Sequence, residues 1–188
     1  MTASRFLLAN KKVLTVVQAD PVDAALLLTH ARGVARESNF LNAGPGERAL
    51  TVAMQQAFLR QLHAHRTGFA LKGMIGDRLV AVLTLVRPKQ PRLRHRAEIG
   101  LTVRAAHWGQ GIGHRMGLVA VALARSQGLR KLNLRVRSDN HRAIRLYQSL
   151  GFSREGESPR ALSVAGRFYS EVMMGLCLDP RRRPPTEA

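Results

Sequence analysis

Apolar positions along the chain fall into short blocks whose spacing alternates between a strand-like and a helical period. Leu14 to Gln18 is an apolar, β-branched run that ends on Asp20-Pro21, a turn signal, and it predicts a first strand. From Asp23 to Ala35, Ala24, Leu27, Leu28 and Ala31 recur at helical spacing. The segment after that helix, from Glu37 through Asn39 and Phe40 to Gly44-Pro45-Gly46, has loop chemistry and is a candidate wall of a substrate mouth. Thr51 to Leu62 predicts a second amphipathic helix, with Met54, Phe58 and Leu62 on one side.

Three strands are predicted next: Gly68 to Met74, Leu79 to Val86 after the turn Gly76-Asp77, and Ala97 to Arg104 after a basic linker containing Pro88 and Pro91. From His114 to Gln127 the residues Met116, Leu118, Val119, Val121, Ala122 and Leu123 are apolar nearly all round, which marks a helix packed on a sheet and stopped by Gly128. A strand at Lys131 to Val136, a helix from Asn140 to Leu150 closed by Gly151, and strands at Phe152 to Glu157 and Phe168 to Leu178 complete the chain. The order βαα-βββ-α-β-α-ββ predicts an α/β fold with a mixed, mostly antiparallel central sheet and helices on both faces. It divides the chain into an N-terminal arm (1–12), one domain (13–178) and a disordered basic tail (179–188). The apolar strand Val172 to Leu178 is a candidate to extend a sheet across a homodimer.

Size agrees with this division, since 188 residues suffice for one good hydrophobic core. No apolar run approaches the roughly 18–20 residues that span a bilayer, so no membrane association is expected. Near the start, Phe6-Leu7-Leu8-Ala9 precedes Lys11-Lys12, the reverse of a secretory signal, and a cytoplasmic location is expected. The single cysteine, Cys177, excludes an internal disulfide and a Cys-rich metal site, and no metal is expected.

The formal net charge is +18, a field that draws in polyanions, and nucleic acid or a ribosome therefore enters as a partner class. The excess is spread along the whole chain, and only Arg181-Arg182-Arg183 forms a run. Aromatic residues are 5% of the chain, too few for the interleaved basic and aromatic surface of a single-strand binder.

The candidate chemistry begins at Trp108-Gly109-Gln110-Gly111-Ile112-Gly113, between a predicted strand and a predicted helix. A chain that turns from strand into helix points unpaired backbone N–H groups at one place, and the helix dipole favours negative charge there. Glycine lets a pyrophosphate approach Gly111 and Gly113 closely. The dinucleotide fingerprint needs a glycine where Met116 stands, and the nucleoside-triphosphate loop needs a Lys and a Ser or Thr that are missing here.

The run from Glu98 to Gly113 resembles the acyl-CoA motif of the GNAT superfamily of N-acyltransferases, with Trp108 where that motif has Gln or Arg. A second run, Ser138 to Phe152 with Asn140, Ala143, Tyr147, Gly151 and Phe152, resembles the family's Asn-x-x-Ala-x-x-x-Tyr-x-x-x-Gly-Phe segment. The ending, from Phe152 to Leu176, is similar to the last hairpin of the ribosomal-protein and amino-acid branches. The resemblance covers residues 68 to 178 well and the first 60 loosely.

It implies an acetyl-CoA-dependent transfer to a primary amine, of a peptide N-terminus or of an amino-acid-like molecule. It implies cofactor contacts at Leu101, Val103, Arg104, Gly109, Gln110, Gly111, Ile112, Gly113, His114, Asn140, Ala143 and Tyr147. Tyr147 would protonate the leaving thiolate, Asn140 would bond the pantetheine arm, and a backbone N–H near Val103 would take the developing oxyanion. By spacing alone, Tyr147 reads first as a core residue with a satisfied hydroxyl, and it is the resemblance that gives it the proton-donor role. Glu98, among apolar neighbours on its strand, is a candidate general base whose burial would raise its pKa, or the ion-pair partner of Arg96. An acyl-CoA sensor without turnover remains the alternative within the same fold.

Overall fold

The computed structural model describes residues 3–47, 49–64 and 67–179. Its strands are β1 Ser4–Leu7, β2 Val13–Gln18, β3 Gly68–Ile75, β4 Arg78–Val86, β5 Arg96–Val103, β6 Lys131–Arg137, β7 Ser153–Val164 and β8 Arg167–Cys177. The helices are α1 Ala24–Glu37, α2 Val52–Ala64, α3 Ile112–Ser126 and α4 His141–Ser149. The strands form one sheet in the order β1-β2-β3-β4-β5-β6-β8-β7, antiparallel throughout except for the parallel pair β5 and β6.

Alternation within the strands sorts side chains onto two faces. Ile99 of β5, Leu132 and Leu134 of β6, and Val172 and Met174 of β8 enter the larger core with Met116, Ala120 and Ala124 of α3 and Ile144 and Tyr147 of α4. On the other face Ala70, Leu79 and the half-buried Val82 meet Ala24 and Leu27 of α1 and Leu59 and Leu62 of α2.

Three expectations change. The expected N-terminal arm contains β1, which pairs with β2 from Ser4↔Val16 to Leu7↔Val13; its four residues are too few to show a strand period. The apolar last strand offers no free edge for a partner, because β8 lies between β6 and β7. Strand β7 runs to Val164, past the expected Glu157, through irregular register between Ser158 and Leu162. Of the expected tail, residues 180–188 lie outside the described residues.

One irregularity of the sheet positions the candidate site. Strands β5 and β6 share only the pairs Arg96↔Lys131, Ala97↔Leu132 and Glu98↔Asn133. Beyond them β5 stays on β4 as far as Val103, and β6 stays on β8 as far as Arg137. The sheet therefore opens between its two parallel strands just after Glu98.

Candidate active site

The open edge of β5 carries backbone groups without strand partners. The N–H of Arg104 donates to the carbonyl of Val80 at 2.9 Å, toward β4. Because a strand points successive peptide groups to opposite sides, Leu101 and Val103 direct theirs into the gap. Trp108 Nε1 donates to the Val103 carbonyl at 2.7 Å. The N–H of Val103 and both backbone groups of Leu101 are left for a ligand.

At the upper end of the gap the chain turns through Ala105–His107 into α3. The first backbone bond of that helix runs from the Arg115 N–H to the Gly111 carbonyl at 3.1 Å, so the N–H groups of Ile112, Gly113 and His114 precede the ladder and have no helical acceptor. Gly109 (φ 75°) and Gly111 (φ 74°) are left-handed, with open space where a Cβ would stand. Gly113 is glycine for another reason: a Cβ there would lie 2.9 Å from Leu146 Cδ2, so this position lets α4 pack on α3. The side chains around the loop are committed within the protein. Ile112 is in the core, Gln110 donates to the Ala106 carbonyl and accepts from Asn10, and the Arg142 guanidinium stacks 3.5 Å from the Trp108 ring centroid. His114 is half-buried.

Below the gap, on the α3 and α4 side, Tyr147 is buried edge-to-face on Phe152, with ring centroids 5.7 Å apart. Burial pushes its pKa up to about 12, and its hydroxyl has no hydrogen-bond partner among the described residues. Asn140 is the N-cap of α4: its Oδ1 accepts from the Ala143 N–H at 3.2 Å and its carbonyl from the Ile144 N–H at 3.0 Å. Only the Asn140 side-chain N–H groups remain for a ligand.

The opposite face holds Glu98, and here an expectation fails. Glu98 is exposed, and no ion pair joins it to Arg96 or to any other described residue. Its β4 neighbour in register, Val86, is exposed as well, because α1 and α2 cover the face only nearer Thr102 and Val82. The apolar residues beside Glu98 in sequence, Ala97 and Ile99, face the other core.

The side chain of Arg104 turns away from the loop toward α1. Its Nη2 and Nε lie 2.6 and 2.8 Å from Glu37 Oε1, and the Ala105 N–H donates to Glu37 Oε2 at 2.8 Å. These bonds hold the Glu37 carboxyl below the usual carboxylate range. On the far side of the gap Arg137, only 4% exposed, donates to both oxygens of Asp139 at 2.7 and 3.0 Å and to the Asn39 carbonyl at 2.7 Å. The rings of Phe40 and Tyr169 lie 4.4 and 4.0 Å from its guanidinium carbon. Residues 37–40 thus bridge the end of β5 to the end of β6. Under this bridge His30 of α1 is buried with Nε2 3.0 Å from Thr102 Oγ1, and burial, followed by the nearby Arg104, lowers its pKa to about 4.

The model of the acetyltransferase (GNAT) family matches residues 27–152. The chain belongs to the GNAT family. Among its relatives, the L-amino acid N-acyltransferase MnaT of Escherichia coli is 31% identical over 91 residues, which are 48% of this chain and 53% of that protein. The chain so spans about half the length of that curated relative. Among solved structures, a GNAT-family acetyltransferase from Streptococcus pneumoniae superposes with a TM-score of 0.83 at 25% identity, covering 87% of this chain and 98% of that one. The Salmonella typhimurium acetyltransferase yncA, solved with its cofactor acetyl-CoA, gives a TM-score of 0.80 at 21% identity, over 92% and 98% of the two chains.

In this GNAT chain the two matched sequence segments meet where Leu146 of one packs on Gly113 of the other. Sequence reasoning missed the bridge of Glu37, Asn39 and Arg137, whose partners lie 67 and 98 positions apart. It also missed His30 and the stack of Arg142 on Trp108. The one local signal was Trp108 itself, an aromatic ring in a Gln or Arg place.

Proposed function

We propose that this chain is an N-acetyltransferase that passes an acetyl group from acetyl-CoA to a primary amine in a ternary complex. The observation that carries the reading is the opening of β5 from β6 after Glu98, with unpaired backbone groups along its edge and the glycine loop at its end. The residues suit acetyl-CoA: the pyrophosphate meets the N–H groups from Gly109 to His114, and the amide groups of the pantetheine arm meet Leu101 and Val103 as a further strand would. Arg104, Ile112 and Gln110 contribute backbone or shape to this site, and Ala143 and the free Asn140 N–H groups flank it.

Acetyl-CoA supplies the acetyl group as a thioester. Glu98, on the face that α1 and α2 leave open, takes a proton from the amine directly or through water, and the neutral nitrogen bonds to the acetyl carbon. A peptide α-amine with pKa near 7.7–8.0 asks little of this base, and the more basic amine of a free amino acid asks more of it. The Val103 N–H donates to the acetyl oxygen as negative charge gathers there, a contribution of about 3–4 kcal/mol for one such donor. The nitrogen sheds its second proton to solvent water, the carbon–sulfur bond breaks, and Tyr147 on the opposite face gives its proton to the sulfur and recovers one from solvent. The apolar surroundings that hold the phenol up also disfavour a free thiolate, so the proton passes between groups whose basicities rise together.

The test is calorimetric titration with acetyl-CoA, beside Gly111→Asp, followed by a free-thiol assay over amines, amino acids and peptides. Micromolar binding lost in the variant, together with thiol release for some acceptor, is expected. Absence of acetyl-CoA binding by the wild type would overturn the reading.

A further inference from the structure

The open face beside the gap carries two opposite charges that no described residue satisfies. Glu98 of β5 stands opposite Asn133 of β6 in register, and Arg135 follows two residues along β6 on the same face. Both side chains are exposed. Neither forms a hydrogen bond or ion pair with a described residue, and Arg135 stacks on no ring. With strands ~4.8 Å apart and ~3.3 Å per residue, their Cα atoms are set roughly 8 Å apart at the least, more where the strands diverge. That spacing leaves room between a carboxylate and a guanidinium for a small ligand.

The neighbouring cations are already used. Arg137, next on the same face, is buried and bonded to Asp139 and Asn39, and Lys131 is held by Glu155 at 2.8 Å. Arg135 is thus the free cation nearest the gap on this strand. An α-amino acid is a zwitterion whose charges have the order of this slot, with its amine toward Glu98 and its carboxylate toward Arg135. A molecule with net charge +18 also favours an acceptor that brings its own negative charge over a polycationic amine.

We propose that Arg135 is the specificity-determining residue of the acceptor site, taking the α-carboxylate of a free amino acid while Glu98 takes its amine. The inference rests on the acetyltransferase reading above and names its substrate class. A peptide N-terminus has an amide where the amino acid has this carboxylate, and the slot disfavours it.

The decisive experiment compares L-methionine and L-leucine with their carboxamides as acceptors, for the wild type, Arg135→Gln and Arg135→Lys. A second readout is calorimetric titration of the same amino acids into the protein saturated with CoA, which needs no turnover. In the wild type the amino acid is expected to exceed its carboxamide in kcat/KM by about 10- to 100-fold, the usual range for a charge-assisted bond. Arg135→Gln removes that preference by acting on the amino acid alone, and Arg135→Lys restores part of it. Arg135 is exposed, so melting temperatures stay near the wild-type value. Equal use of acid and carboxamide by the wild type, or equal losses for both in Arg135→Gln, overturns the proposal. If no amine releases thiol but amino-acid binding to the CoA complex still depends on Arg135, the transfer reading fails and the slot stands.

Discussion

Tyr147 and Glu98 divide the proposed proton traffic between the two faces of the sheet, and their surroundings differ accordingly. A buried phenol with a pKa near 12 stays protonated at any physiological pH and so stays a donor. Tyr147→Phe keeps the ring on Phe152 and removes only the hydroxyl. It should lower kcat by about 100-fold while acetyl-CoA affinity stays within about twofold of wild type, as read by steady-state kinetics and titration. An unchanged kcat would leave Tyr147 as a core residue. His30 gives a prediction about stability. Its folded pKa of about 4 lies below its ordinary value of 6.5, so the unfolded chain binds the extra proton first. Stability is full above pH 6.5 and falls as the pH drops toward 4, by up to about 3 kcal/mol. Melting curves over that interval should flatten in His30→Gln; an identical slope in the variant would place the titrating group elsewhere. At this scale the exposure of Glu98 and the burial of His30 were not legible in the sequence. The sequence offered Glu98 as a buried carboxylate because Ala97 and Ile99 flank it, yet alternation puts those neighbours on the other face. His30 was one histidine among helical positions, and its partner Thr102 lies 72 residues away.

At the scale of elements, the glycine loop and the bridge respond to different substitutions. Gly111→Ala forces a β-carbon into a left-handed conformation at a cost of roughly 1–2 kcal/mol. It should weaken acetyl-CoA binding, whereas Gly113→Ala presses on Leu146 and acts first on the melting temperature; comparing titration with melting separates the two. The bridge is held at one end by Glu37 and at the other by Arg137. Arg137→Met removes the bond to Asn39 and the stacking on Phe40 but leaves the cofactor loop untouched. The acceptor KM is expected to rise about tenfold with acetyl-CoA affinity preserved, and equal loss of both would deny the bridge a place on the acceptor side. The carboxyls of Glu37 and Asp139 are both held low by their guanidinium partners, so what they contribute is present above the ordinary carboxylate pKa and lost as the pH falls through their lowered values. Elements were the most legible level in the sequence. Among the described residues periodicity placed all four helices and seven of the eight strands, since each of those runs is long enough to complete a period. What it could not supply was strand order, because a strand's neighbours are chosen by contacts far away along the chain, as with β8 between β6 and β7.

Taken whole, the molecule is two half-sheets, β1 to β5 and β6 to β8, held to each other in the sheet by only three register pairs. The larger core, with α3 and α4 beneath both halves, and the bridge of residues 37–40 strengthen the join. An unpaired strand edge usually invites another chain, and here it lies inside the sheet with residues 37–40 spanning its mouth. That edge ties ligand binding to the permanence of the fold. Acetyl-CoA lying along Leu101 and Val103 would supply the missing partner, and its binding free energy would add to that of folding. The amide protons of these two residues should therefore exchange with solvent faster than those of Gly100 and Thr102, which face β4, and slow selectively in the complex. The ligand would then be, for as long as it stays, the strand between β5 and β6 that the chain does not encode.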